Sequence, residues 1–304
     1  MEIIKGLPRE DYDSIDAINA SRLALILKSP KYFERNIFKE SDAMKLGTAI
    51  HTAYLEPTDF KARYLVEPDS VECVERIVKS DGTTMKKPGG KLVWQPVNKR
   101  MKDHKEWLDN WRKSKEAGGS IVITPDDMGA ITGVLNSITE ELRFPPPKDC
   151  IPIQELLATR DVEVTVVNEM FGHKVKARAD LLVNTRLGRT VVDIKKCRDL
   201  SPEMFKLDLF KLHYDMKAAF YKKAFEADHF VWICVGAEEP YPVATYSAEH
   251  FIDIGNEKVK KCFEIKKRCE DENYWPWYTR GIEALTPSNW QMSQYFENLG
   301  GEIE

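Results

Sequence analysis

The chain has 304 residues, of which 42% are hydrophobic, and a formal net charge of −4. That apolar content suffices for a sizeable core in one or two domains. The mild acidity excludes a generally basic nucleic-acid coat, so any polyanion must be met in a local cationic channel.

In chain order, helices are predicted near 20–28, 30–37, 44–55, 100–116 and 125–142. Ser29-Pro30 pairs an N-cap serine with a proline at the first helical position, and Pro57 cannot continue the helix that ends at Leu55. Pro145-Pro146-Pro147 breaks the chain before a helix near 152–158. Three alternating segments at 161–169, 173–184 and 189–196 read as strands, followed by a helix near 213–227. Phe230–Val235 and Val243–Tyr246 supply two more strands, and a last helix spans 247–270. Strands flanked by helices in this order describe an α/β fold with a mixed central sheet.

The chemistry concentrates between Glu163 and Lys196. Asp193 and Lys195 stand two apart on one strand and therefore share a face, while Asp180 lies on the strand before it. Two carboxylates can hold a hard divalent cation, and a neighbouring ammonium can orient or help deprotonate water and balance phosphate charge. Lys174, Lys176 and Arg178 alternate with small or apolar residues, giving a basic stripe for DNA that leads to Asp180. Alone, Asp-x-Lys is a common tripeptide on a hairpin with one solvated face. Glu163 is either an accessory ligand or an exposed strand glutamate. His51 falls four residues after Gly47, on the same helix face, where glycine lets a ligand or backbone come close; alone it reads as a half-buried helix histidine.

Leu46-Gly47-Thr48-Ala49-Ile50-His51, with Leu55-Glu56-Pro57 behind it, resembles the histidine motif of the RecE-type phage exonucleases, relatives of exonuclease eight within the PD-(D/E)XK nuclease superfamily. The resemblance runs from about Ile18 to about Phe225. Ile18–Leu23 and Leu27–Phe33 look like that family's opening helical segment, Ala177–Asp180 like its first metal-binding acid, and Val192–Lys195 like its second acid and lysine. Ala218–Tyr221 looks like the helix that follows. The resemblance implies a restriction-endonuclease-like core, with the N-terminal helices forming one wall of the cleft. It implies Mg²⁺, with Mn²⁺ able to substitute, held by His51, Asp180, Asp193 and the carbonyl of Ile194, and a catalytic set of Asp180, Asp193 and Lys195. Two features depart from the pattern. Lys217 stands where relatives often have a glutamine, four residues before Tyr221, and the long polar stretch from Val71 to Arg100 does not align with the family's pattern. Lys217 and Tyr221 are accessory candidates.

The expectation is one nuclease domain over 1–304: a mainly helical part to 145 carrying His51, a catalytic α/β core over 146–270 and a tail over 271–304. The tail's Trp275, Trp277, Trp290, Tyr295 and Phe296 are read as packing residues, the alternative being a partner-binding role. The implied activity is 5′ to 3′ resection of double-stranded DNA ends for recombination, beside a single-strand annealing protein, by a homo-oligomeric ring. The alternatives are a structure-specific or restriction-like endonuclease and a non-catalytic DNA-binding module on the same fold. No phosphate-binding loop or Gly-x-Ser-x-Gly elbow is present. The six cysteines, Cys73, Cys150, Cys197, Cys234, Cys262 and Cys269, form no Cys-x-x-Cys pair, which argues against zinc ribbons and the iron–sulfur branch of that superfamily. The polar start Met1-Glu2-Ile3-Ile4-Lys5 and the lack of any long apolar run lead to the expectation of a soluble, cytoplasmic protein of phage or bacterial origin, without membrane contact.

Overall fold

The structure, a computed structural model, describes residues 1–37, 42–80, 84–143, 153–157, 161–279 and 281–299. The proline run at 145–147 and Cys150 lie outside them. The chain opens with β1 (Glu2–Ile4), α1 (Arg9–Ser14), α2 (Ala20–Lys28), α3 (Pro30–Glu34), α4 (Asp42–Leu55) and α5 (Pro57–Arg63). Six short strands and two long helices follow: β2 (Tyr64–Val66), β3 (Ser70–Val74), β4 (Arg76–Val78), β5 (Thr84–Lys86), β6 (Leu92–Pro96), α6 (Lys102–Ala117), β7 (Ile121–Ile123) and α7 (Pro125–Glu141). Next come α8 (Ile153–Leu157), β8 (Val162–Met170), β9 (His173–Thr185), β10 (Gly188–Cys197), α9 (Pro202–Lys211), α10 (Tyr214–Ala224), β11 (His229–Gly236), β12 (Val243–Ser247), α11 (Ile252–Asp271) and α12 (Asn289–Leu299).

Local chemistry sets several of these boundaries. Asn19 caps α2 by accepting from the Arg22 N–H at 2.8 Å, and Ser29 caps α3 with Pro30 behind it. Thr124 and Asp127 form a reciprocal capping box at the start of α7. Pro57 ends α4 by opening α5, where its missing N–H costs nothing. Residues 1–145 are less purely helical than expected, because strands of three to five residues carry too few alternations to be read.

The main sheet runs β1-β8-β9-β10-β11-β12. Every pair is antiparallel except β10 with β11, whose parallel pairing is reached through α9 and α10. Strand β11, one in from the edge, is buried on both sides. Phe230, Trp232 and Cys234 join the core beneath α2, α10 and α11, while Val231, Ile233 and Val235 join the core beneath α4 and α7. The N-terminal helices therefore cover both faces and form no single wall. Helices α10 and α11 approach closely because Gly255 is bare: a Cβ there would lie 2.3 Å from the Asp215 carbonyl oxygen. Beside it, Lys258 neutralises the buried Asp215 at 2.5 Å.

Two strands of the sheet part company in its middle. The β9–β10 ladder runs from Thr185 with Gly188 to Leu181 with Val192 and stops there. Beyond that point β10 stays with β11, and the free side of β9 is taken by Ile18, which exchanges backbone hydrogen bonds with Lys174 and Lys176 at 3.0 and 2.9 Å. Across the same point β9 changes which core it feeds: Val175, Ala177 and Ala179 join one cluster, Leu181 and Val183 the other. On β8 the change falls at Glu163, whose φ of 50° is left-handed. The tail beyond α11 returns to α3, where Trp275 stacks on Phe33 and Ser29 Oγ donates to the Pro276 carbonyl oxygen; Trp290 is 70% exposed. The five described cysteines are all buried thiols outside any disulfide.

Candidate active site

The fork between β9 and β10 gathers the chemistry. Asp180 is the first residue past the last ladder pair, and its Oδ2 accepts the Ile194 N–H at 2.6 Å, a bond the ladder would otherwise have used. His51 reaches the fork from α4, which packs on β10. Its Nδ1 lies 3.4 Å from Asp180 Oδ2 and its Nε2 2.5 Å from the Ile194 carbonyl oxygen. Glu163 arrives from β8, so that donor atoms of His51, Glu163 and Asp180 all lie within 4.8 Å of one another. Asp193 is set apart from this trio, bridged through both oxygens by Lys195 Nζ at 2.7 and 2.6 Å.

The electrostatics follow from several acids sharing a dry place. Burial pushes the Glu163 carboxyl up, and Asp180 adds to the push. Burial likewise raises Asp193, against the pull of Lys195. Asp180 is the exception: burial would raise it, but His51 holds it below the usual carboxylate range. In turn His51, which burial alone would depress, is lifted by Asp180 to about 9. Lys195 sits far above its ordinary value, because Asp193 and Asp180 outweigh its burial. Held as an ammonium, it can orient water and balance charge on a phosphate.

The donor set suits a hard divalent cation. Two carboxylates, the His51 imidazole in its neutral form and the Ile194 carbonyl can present oxygen and nitrogen to one point, with the ring of His51 lying between the Asp180 carboxylate and the Ile194 carbonyl. Compared with the expected ligand set, Glu163 enters the trio and Asp193 stands beside it as the partner of Lys195.

On the other side of Asp193 and Lys195 a cavity of about 80 Å³ is lined by Ser21, Tyr214, Lys217 and Tyr221. Burial, helped by Lys195, lowers Lys217 to about 8, and its Nζ lies 5.4 Å from the centre of the Tyr214 ring. Burial raises Tyr214 to about 12 and Tyr221 further, so both phenols keep their protons. Sequence reasoning gave no role to Ser21 or Tyr214; nothing local marks them, and only the packing of α2 against α10 brings them together.

The basic stripe on β9 requires correction. Lys176 is buried and spends its ammonium on the carbonyls of Tyr12, Asp13 and Ile15, at 2.7, 3.1 and 2.8 Å. Arg178 pairs with Glu163 and also donates to the Leu7 carbonyl at 3.0 Å. Only Lys174 faces solvent, because the N-terminal segment lies over this side of β9. Gly47 lies over β10, yet a Cβ on it would come no closer than 3.8 Å to Lys196 Cβ, so the protein's own packing does not demand glycine there.

Residues 149–287 match the family described as a PDDEXK-like domain of unknown function (DUF3799). Among solved structures, a Eubacterium rectale protein provisionally named an exonuclease superposes with a TM-score of 0.53 at 10% identity, covering 97% of this chain and 99% of its own. At that identity the likeness concerns the fold, and together with the family match it supports a PD-(D/E)XK fold for this chain. Two other structures superpose with scores too low to carry an argument. One, named SSO0001, has a TM-score of 0.23 at 15% identity, covering 42% of this chain and 84% of its own. The other, Rai1 of Scheffersomyces stipitis, has 0.30 at 12% identity, covering 88% and 70%. No curated protein matches the sequence. Among the described residues no helix is long and apolar enough to cross a membrane.

Proposed function

We propose that this chain is a metal-dependent deoxyribonuclease of the RecE type, an exonuclease that resects duplex DNA from its 5′ ends to prepare single-strand annealing. The observation that carries the reading is the convergence of His51, Glu163 and Asp180 within 4.8 Å of one another, beside a Lys195 ammonium locked to Asp193. His51, Glu163, Asp180 and the Ile194 carbonyl would hold Mg²⁺ or Mn²⁺. When bound, such a cation supplies Lewis-acid polarisation of a phosphodiester and a water acidic enough to attack it.

The protein's own groups do the rest. Asp180, tied to the Ile194 N–H, is a rigid acceptor that needs no reorganisation. Arg178 holds the Glu163 carboxylate toward the fork. Asp193 fixes Lys195 so that its positive charge faces the phosphoryl oxygens as they gain charge. Lys217, as a point charge, offers a second phosphate contact where relatives often have an amide. Enclosure of DNA by a homo-oligomeric ring would explain how an exonuclease with no motor stays on its track.

Digestion of end-labelled linear duplex beside a covalently closed circle, with and without Mg²⁺, tests the reading. The linear DNA should be consumed from its 5′ ends only with metal, and the circle should survive. Cutting of the circle would replace the exonuclease by an endonuclease, and inertness toward both would leave a binding module.

A further inference from the structure

Between Ser70 and Lys105 the chain carries nine lysines and arginines against four acids, in a protein whose net charge is −4. The segment builds two small ribbons, β3 with β6 and β4 with β5, braced by α6. One side of the first ribbon is dry: Val71 and Cys73 pack on Leu108, and Cys73 Sγ lies 3.4 Å from the buried His104 Nε2. On the side away from this core, Leu92 and Trp94 are 64% and 62% exposed. Trp94 meets Trp107 in a T-shaped contact at 5.6 Å, which fixes its ring while leaving most of it bare.

Five of the nine cations rest on acids. Arg76 is held by Asp103, with Lys86 behind it, while Lys87, Lys99 and Lys102 lie within 4 Å of Glu75, Glu67 and Glu106. Lys79, Lys91, Arg100 and Lys105 are exposed and have no ion-pair partner among the described residues. The ribbons and the start of α6 thus carry two unmet demands: an indole without cover and cations without counter-charge. A duplex answers the second only, because its bases are stacked on one another. A single strand answers both, with phosphates for the cations and a free base for the ring.

We propose that these ribbons bind single-stranded DNA, its backbone on Lys79, Lys91, Arg100 and Lys105 and a base on Trp94. The proposal rests on the exonuclease reading for the origin of its ligand, since removing one strand of a duplex leaves the other unpaired beside the enzyme.

Binding of a fluorescein-labelled oligodeoxythymidine to the full chain, titrated in EDTA at several NaCl concentrations, tests it without any cleavage. Lys79→Gln, Lys91→Gln and Arg100→Gln combined should weaken binding and flatten the log–log salt slope by about two. Trp94→Ala should cost about tenfold in affinity at an unchanged slope, and Trp94→Phe should recover most of it. A blunt duplex of equal length should bind the parent more weakly and ignore Trp94→Ala. Parental affinity and slope in the triple variant, or parental affinity in Trp94→Ala, overturns the proposal. Hydrolysis of thymidine 5′-p-nitrophenyl phosphate with Mg²⁺, expected at the parental rate in all these variants, reports the catalytic centre separately. A parent inactive on that substrate and on DNA would remove the nuclease reading while the EDTA titration still decides the surface.

Discussion

His51 stands 3.4 Å from Asp180, and each moves the other's proton affinity: the imidazole is lifted to about 9 while the carboxyl is pulled below its usual range. At neutral pH His51 is therefore held as an imidazolium between Asp180 and the Ile194 carbonyl oxygen.

Cation binding must displace that proton, so apparent affinity for Mn²⁺ should rise with pH until about 9 and then level off. Calorimetric titration in buffers of different ionisation enthalpy should show a proton released at pH 7.5. None released there would place His51 outside the ligand set. Stability without metal carries the opposite sign. The folded pKa of about 9 exceeds the ordinary 6.5, so the contribution is complete below about 6.5 and is lost as pH rises through 9. Melting temperatures should fall across that window in the parent and less steeply in His51→Gln.

Lys195 is an ammonium shared between both oxygens of Asp193. Lys195→Ala should lower the single-turnover rate by about two to three orders of magnitude while leaving DNA affinity in Ca²⁺ within a few fold, because one phosphate contact is a small share of binding. Equal losses in rate and affinity would make it a binding residue. Asp193→Asn should resemble it in rate, since the amide no longer anchors the ammonium.

Lys217 is lowered to about 8 by burial and by Lys195, so its charge changes within the working range. If its cationic form contacts phosphate, the pH–rate profile should fall above about 8, and Lys217→Gln should remove that limb while keeping much of the activity at pH 7. A profile identical in parent and variant would sever Lys217 from the reaction.

Gly47 occupies a helix interior, where glycine costs about 1 kcal/mol relative to alanine. A methyl there meets only ordinary contact with Lys196. Gly47→Ala should therefore melt about 2 °C higher, yet cleave duplex more slowly if substrate uses the space on the His51 face of α4. Parental cleavage by this more stable variant would show that nothing passes there.

The strands around the fork were legible because alternation over nine to thirteen residues is a strong signal, and β8, β9 and β10 fall within a residue or two of their predicted limits. Alternation, however, says that a strand has two faces and not what lies on them. Lys176 and Arg178 read as a solvated stripe because the segment that covers them, Leu7 to Ile18, is about 160 residues away in sequence. Glu163 stayed ambiguous for a related reason. Its carboxylate turns toward Asp180 through a left-handed backbone conformation that side-chain pattern does not encode. Helix α9 went unread, although Pro202 at its first position was a usable signal.

The N-terminal segment also sets a schedule. Tyr12 is made 164 residues before Lys176, its hydrogen-bonding partner. At about 5–20 residues per second a ribosome spends roughly 10 to 30 seconds on that interval. Throughout it the carbonyls of Tyr12, Asp13 and Ile15 have no ammonium to receive, and Leu7 has no Arg178. Arg178 in turn is what aligns Glu163 with the fork. The fork is thus completed only when the earliest part of the chain docks onto one of the later ones, and a nascent chain carries its acids unassembled until Lys176 and Arg178 have been made.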